Sequence, residues 1–170
     1  MTSVPSMESL SKGQLNDALI RINLLRERMG GDAMAEDLLE GALEALFSAS
    51  EHLIAYGSLA PGGPNFGLLK DLQGEWQEGW VTGELLDRGW SAAMSYPALR
   101  WCPEAAKVDA WLFRSPDLPE IWRRLDEFEG LEYRRILAPF WTPAGEVWVG
   151  NVYAMECELE GRARGPASGG

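Results

Sequence analysis

One histidine, His52, and two cysteines, Cys102 and Cys157, are all that the 170 residues offer of the side chains that most often bind metals or serve as thiol nucleophiles. A single histidine excludes a His-rich metal site and argues against Ser–His or Cys–His catalytic pairs, so no metal site is expected. The cysteines lie far apart without C-x-x-C spacing and read as free thiols of a reducing cytosol. Positive charge is also scarce. There are 15 Lys and Arg against 26 Asp and Glu, a formal net charge of -11. Such a surface repels phosphate backbones and anionic lipid, which argues against nucleic acid and membrane surfaces as partners. Long apolar runs are missing as well. Met1 to Ser11 is polar, and no stretch approaches the roughly 20 apolar residues of a spanning helix, so the expected location is cytoplasmic. Any acid–base chemistry in this chain falls to a carboxylate.

What is present is ordinary globular material: 46% hydrophobic, 10% aromatic and 24% charged. The length suits about one domain with a short appendage. Aromatic content divides the chain, because all 8 Trp follow residue 50 and the first fifty residues hold no Trp or Tyr. There, Leu15, Ala18, Leu19, Ile22, Leu25 and Met29 recur at helical spacing, predicting a helix from about Gln14 to Met29 that stops at Gly30-Gly31. Asp32 can cap a second helix carrying Leu38, Leu39, Ala42, Leu43 and Leu46. Residues 1–50 therefore read as a helical hairpin, which either covers a face of the main domain or provides a docking surface for a homo-oligomer.

Residues 51–160 read as a mixed α+β domain. Strands are expected at His52–Tyr56, around Trp80–Leu86, at Val108–Phe113, Tyr133–Trp141 and Glu146–Met155. One helix lies among them, with Asp117 and Glu120 at capping-box spacing, an apolar face of Leu118, Ile121, Trp122, Leu125 and Phe128, and Gly130 as its stop. Residues 161–170 are small and polar and are expected to be a disordered tail.

Two segments depart from purely structural usage. Tyr56-Gly57-Ser58-Leu59, followed by a Pro/Gly-rich loop to Asn65, runs a strand into a turn that can aim backbone N–H groups at an anion or carbonyl oxygen. No Gly-Lys-Ser/Thr follows, so it is not a phosphate loop. A β-branched residue in place of Gly57 is expected to distort it. In the second segment, Asp126, Glu127 and Glu129 crowd the negative end of a helix, where acids are disfavoured. Either they form a solvated helix end neutralised by Arg123, Arg124, Arg134 and Arg135, or one turns inward. An inward carboxylate would have its pKa raised by the dipole, by acidic neighbours and by burial, as a general base requires.

Tyr56-Gly57-Ser58-Leu59, then Trp80 to Leu99 with its Gly and Tyr-Pro-Ala-Leu, then Leu125-Asp126-x-x-Glu129-Gly130 and Val152-Tyr153-Ala154 together resemble the γ-glutamylcyclotransferase-like family. Asp109-Ala110 departs from that pattern, where a glycine would be expected. The resemblance implies a small mixed barrel-like sheet with a flanking helix, preceded here by the hairpin. It implies conversion of a γ-glutamyl compound to 5-oxoproline with release of the free amine. It places the catalytic glutamate on Glu129 and substrate binding on Tyr56, Gly57, Ser58, Leu59, Tyr133 and Tyr153. No cofactor is implied, because the substrate's own amine is the nucleophile. The alternative is a non-catalytic ligand- or partner-binding module on the same fold.

Overall fold

The computed structural model describes residues 11–29, 31–87 and 97–155; the tail, Cys157 and the segment 88–96 lie outside them. Helix α1 (Lys12–Arg28) begins at Ser11, whose hydroxyl accepts from Gln14 N–H while the Gln14 amide oxygen accepts from Ser11 N–H. That exchange satisfies two otherwise orphaned donors. Helix α2 (Ala33–Phe47) is capped by Asp32, as its position suggests. Then follow strands β1 (His52–Ala55), β2 (Glu75–Leu86), β3 (Ala98–Trp101) and β4 (Lys107–Arg114), helix α3 (Leu118–Glu129), and strands β5 (Arg134–Trp141) and β6 (Val147–Ala154).

The strand order is β3-β2-β4-β1-β6-β5, and a further pairing of β2 with β5 at Trp80 and Trp141 closes five of the strands into a barrel. β1 and β6 run parallel and every other pair is antiparallel. This is the mixed barrel-like sheet that the sequence implied. Successive residues face opposite sides, so Leu53, Phe113 and Tyr153 join one buried cluster while Ile54, Leu112 and Val152 join the other. The first cluster is covered by α3 through Leu118, Trp122 and Leu125; the second includes Leu15, Leu19 and Leu43 of the hairpin.

Three sequence-based expectations are corrected. β2 starts at Glu75, not near Trp80, because an eight-residue ladder with β4 and the stacking of Trp76 on Phe113 (4.4 Å) hold a segment with polar, weakly strand-forming composition. β3, four residues on the outer edge of β2, was not expected as a strand. The capping box at α3 does not form. Asp117 has helical backbone angles, and its carboxylate accepts instead from Gln73 N–H at 2.9 Å, tying the turn before β2 to the helix.

The hairpin's apolar stripes divide between inside and outside. Leu15 and Leu19 of α1 are fully buried, and the Asn23 amide bonds both backbone groups of Leu137 on β5, at 2.9 and 2.8 Å. In α2 only Leu43 is buried, while Met34 and Leu38 are 75% and 71% exposed. Leu19→Ala is therefore expected to cost about 2–5 kcal/mol by leaving a cavity. Leu38→Ala should stay within about 0.5 kcal/mol of the parent. Denaturant unfolding of the two variants checks the pair, and equal losses would contradict this orientation of the hairpin.

Candidate active site

Strand β1, the last turn of α3 and strand β6 converge on a cavity of about 30 Å³. Its wall brings together every site residue expected from the sequence: Tyr56, Gly57, Ser58, Leu59, Glu129, Tyr133 and Tyr153. The volume corresponds to about one water, so a substrate must widen it.

Glu129 is 7% exposed at the end of α3. Gly130 follows with φ +78°, a left-handed conformation that stops the helix without a Cβ penalty. Burial pushes the Glu129 carboxyl up from its ordinary 4.5 to about 7. The neighbouring acids, expected to contribute, do not act as causes. Glu127 is turned outward and pairs with Arg123 at 3.3 Å. Asp126 is held by Arg135, Nε to Oδ1 at 2.9 Å and Nη2 to Oδ2 at 3.3 Å, and also accepts from the Tyr153 hydroxyl at 2.7 Å.

The loop after β1 folds on itself. Ala60, Gly63 and Asn65 donate their N–H groups to the carbonyls of Gly57, Ala60 and Ser58. Among the described residues, the N–H groups of Gly57, Ser58 and Leu59 make no such bond. The tight glycine is Gly63, where a Cβ would collide with the Ser58 and Ala60 carbonyl oxygens; a Cβ at Gly57 meets nothing within 4 Å.

The two tyrosines differ in what they can offer. The Tyr56 hydroxyl donates to the Tyr153 carbonyl at 2.7 Å and accepts from Leu99 N–H at 2.9 Å, so it clamps β6 to β3. Burial raises its pKa above the usual phenol range. The Tyr153 pKa is raised further, first by burial and then by the Asp126 carboxylate to which it donates.

Asn151 was not singled out by sequence reasoning, and Asp126 was named only as one of three acids at the helix end, not as the acceptor of Tyr153. Asn151 is fully buried in β6; its amide donates to the Ala49 carbonyl at 2.7 Å, and its oxygen accepts from Arg26 at 3.2 Å and Arg135 at 3.5 Å. Arg26 in turn grips Glu40 with two bonds, at 2.8 and 2.9 Å. A polar chain thus runs from both hairpin helices through Asn151, Arg135 and Asp126 to Tyr153. A polar residue inside the apolar run Val147–Ala154 was the one available signal.

With this geometry in place, comparison with known proteins is decisive for the family. The family model described as gamma-glutamyl cyclotransferase, AIG2-like, matches residues 53–169. The chain belongs to this family. The crystal structure of an AIG2-like protein from Mus musculus is similar in fold, with 20% identity and a TM-score of 0.51 over 62% of this chain and 76% of the mouse chain. YkqA from Bacillus subtilis matches with 19% identity and TM-score 0.48 over 62% of this chain and 35% of its own. An uncharacterized protein from Pyrococcus horikoshii matches with 22% identity and TM-score 0.43, over 61% and 76%. No curated protein matches the chain. Helices α1 and α2 precede the matched region, so in this gamma-glutamyl cyclotransferase, AIG2-like chain they are an addition to the family segment. None of the described helices is long and apolar enough to cross a membrane, and the described residues hold no cluster of His, Cys, Asp and Glu able to bind a metal ion.

Proposed function

We propose that this protein cyclises a γ-glutamyl amine, amino acid or peptide to 5-oxoproline and releases the free amine. The observation that carries the reading is a buried carboxyl, Glu129, whose pKa is pushed up to about 7 in the same small cavity as the Gly57–Ser58–Leu59 loop, whose N–H groups make no backbone hydrogen bond among the described residues. In this reading Glu129 takes a proton from the substrate α-ammonium. The freed amine attacks the γ-carbonyl carbon, closing a five-membered ring at the high effective concentration of an intramolecular reaction. Backbone N–H groups of Gly57, Ser58 and Leu59 hold the oxyanion. As the amide C–N bond breaks, Glu129 returns the proton to the departing amine, and the ring nitrogen gives up its second proton to solvent. Tyr133 and Tyr153 bind the glutamyl portion, and Tyr56 acts by bracing the loop against β3 and β6. No redox step or external nucleophile is required.

Incubation with γ-glutamyl amines, γ-glutamyl amino acids and glutathione, reading 5-oxoproline, tests the proposal. No product from any of them, with the fold intact, would leave a ligand-binding module as the function of this site. A finer prediction concerns the loop. Gly63→Ala forces the Ser58 carbonyl aside and should lower kcat by about 10- to 100-fold through displaced donors. Gly57→Ala fits the backbone and should act on KM, by narrowing the cavity, while Ser58→Ala stays near the parent. Steady-state kinetics of the three variants separate these effects, and a kcat loss confined to Gly57→Ala would contradict the assignment.

A further inference from the structure

Helix α2 is mostly apolar, yet Leu43 is its one fully buried residue. On the side away from Leu43, the positions i, i+4, i+7, i+8 and i+11 are Met34, Leu38, Gly41, Ala42 and Ala45, and all five are exposed. No charge interrupts this stripe. Its glycine is unfavourable for the helix that carries it, because a mid-helix glycine costs about 1 kcal/mol relative to alanine. A Cβ at Gly41 would meet nothing within 4 Å, so packing within this copy does not require it. Such a position suits the close approach of another backbone.

The charges of the two hairpin helices decide which neighbour fits. α2 carries Glu36, Asp37, Glu40 and Glu44 and no base, so two copies of α2 laid together would oppose like charges. α1 carries Lys12, Arg21, Arg26 and Arg28 against Asp17 and Glu27. Its outward face holds Leu24 and Leu25, 44% and 39% exposed, between Arg21 and Arg28. Arg26 is engaged by Glu40 and Asn151. Arg21, Arg28 and Asp37 are exposed and make no ion pair among the described residues. The hairpin thus presents an apolar face edged with acids on α2 and an apolar face edged with bases on α1. A second copy turned about a two-fold axis offers each face its complement, as an isologous contact requires.

We propose that the outward side of the hairpin is a self-association surface, on which a second copy of this chain lays its α1 against α2 and its α2 against α1. This holds whatever reaction the cavity beside Glu129 performs. The net charge of -11 opposes association, but a Debye length of about 8 Å at physiological ionic strength leaves the charges at the contact to decide. Helices of 17 and 15 residues run about 22–25 Å and are about 10 Å wide. Together they cover about 450 Å² of each copy, the low end for specific pairs, which suits a dissociation constant of about 10–100 μM.

Sedimentation of the full chain from about 1 to 500 μM should show the parent passing from monomer to dimer. Leu38→Glu should weaken association at least about tenfold. Melted at about 1 μM, below the association range, it should match the parent, because Leu38 is 71% exposed. Gly41→Gln should act in two directions. The better helix former raises the melting temperature by about 1–3 °C, while its bulk weakens association about tenfold. Arg21→Glu with Arg28→Glu in one chain, and Asp37→Arg in another, should each self-associate about tenfold more weakly than the parent. Mixed, these two chains should pair about as tightly as the parent, since both α1–α2 contacts then join opposite signs. A parent that stays monomeric throughout the range would leave this face to another protein or to residues 1–10 and would overturn the proposal. Unchanged association in Leu38→Glu and Gly41→Gln, or a mixture no tighter than its components, would overturn it as well.

Discussion

Glu129→Gln is expected to release 5-oxoproline about 10²–10⁴-fold more slowly than the parent while folding normally. The amide preserves size and hydrogen bonding but carries no proton. Glu127→Gln, two positions earlier, should be nearly silent, since Glu127 faces solvent beside Arg123. The pH dependence follows from the same burial. Glu129 accepts a proton only when ionised, so kcat/KM should fall as pH drops through about 7, the value to which burial raises it. Stability runs the opposite way. A carboxyl whose folded pKa exceeds its unfolded one favours the folded state most below about pH 4.5, and that contribution is lost as pH rises through about 7. The whole span is worth at most about 3.5 kcal/mol, at about 1.4 kcal/mol per pH unit. Glu129→Gln should therefore be more stable than the parent at pH 8 and no more stable at pH 4. Parallel melting and 5-oxoproline assays decide it. Retained turnover in Glu129→Gln, or a loss confined to Glu127→Gln, would assign the proton transfer elsewhere.

How much of this was legible in the sequence depends on what each feature rests on. Helical stripes and β-branched runs are local signals, so α1, α2, α3 and most strands could be placed from periodicity. The first half of β2 could not, because Glu75 to Gly79 becomes a strand through its ladder with β4, a partner over twenty residues away. Asp117 reads as a helix cap by spacing, yet Gln73 N–H competes for its carboxylate, and only the fold brings Gln73 there. The tight loop and the acidic helix end violate local preferences and so announce themselves, whereas the choice of Glu129 among the three acids, and of Tyr133 and Tyr153, came from the resemblance to the family. Asp126 was visible as an acid but not as the acceptor of Tyr153, because that bond spans 27 positions. Asn151 looks like one polar residue in a strand until Arg26, Arg135 and Ala49 converge on it. Local chemistry was readable; the wiring between elements was not.

That wiring sets the largest stability effect expected. Deleting residues 1–48 should abolish cooperative folding and not merely uncover one face. Leu15, Leu19 and Leu43 belong to the same buried cluster as Ile54, Leu112, Leu137 and Val152, so their loss opens the core of the barrel. Three such side chains represent several kcal/mol at about 2–5 kcal/mol each, comparable to the whole stability of a domain. The polar losses compound it. Without Asn23 the N–H and carbonyl of Leu137 on β5 lose their partners, and without Arg26 the buried Asn151 oxygen keeps only Arg135 at 3.5 Å. Each unsatisfied buried group costs about 1–3 kcal/mol. Arg26→Met removes the Asn151 bond together with the exposed pair to Glu40, and it should lower stability by a similar amount while leaving the apolar contacts in place. Urea unfolding of Arg26→Met and size-exclusion chromatography of the truncated chain check the two limits. A truncated protein that is monodisperse and melts cooperatively at the parent temperature would show that the barrel stands alone and that the hairpin's buried contacts contribute nothing net to it.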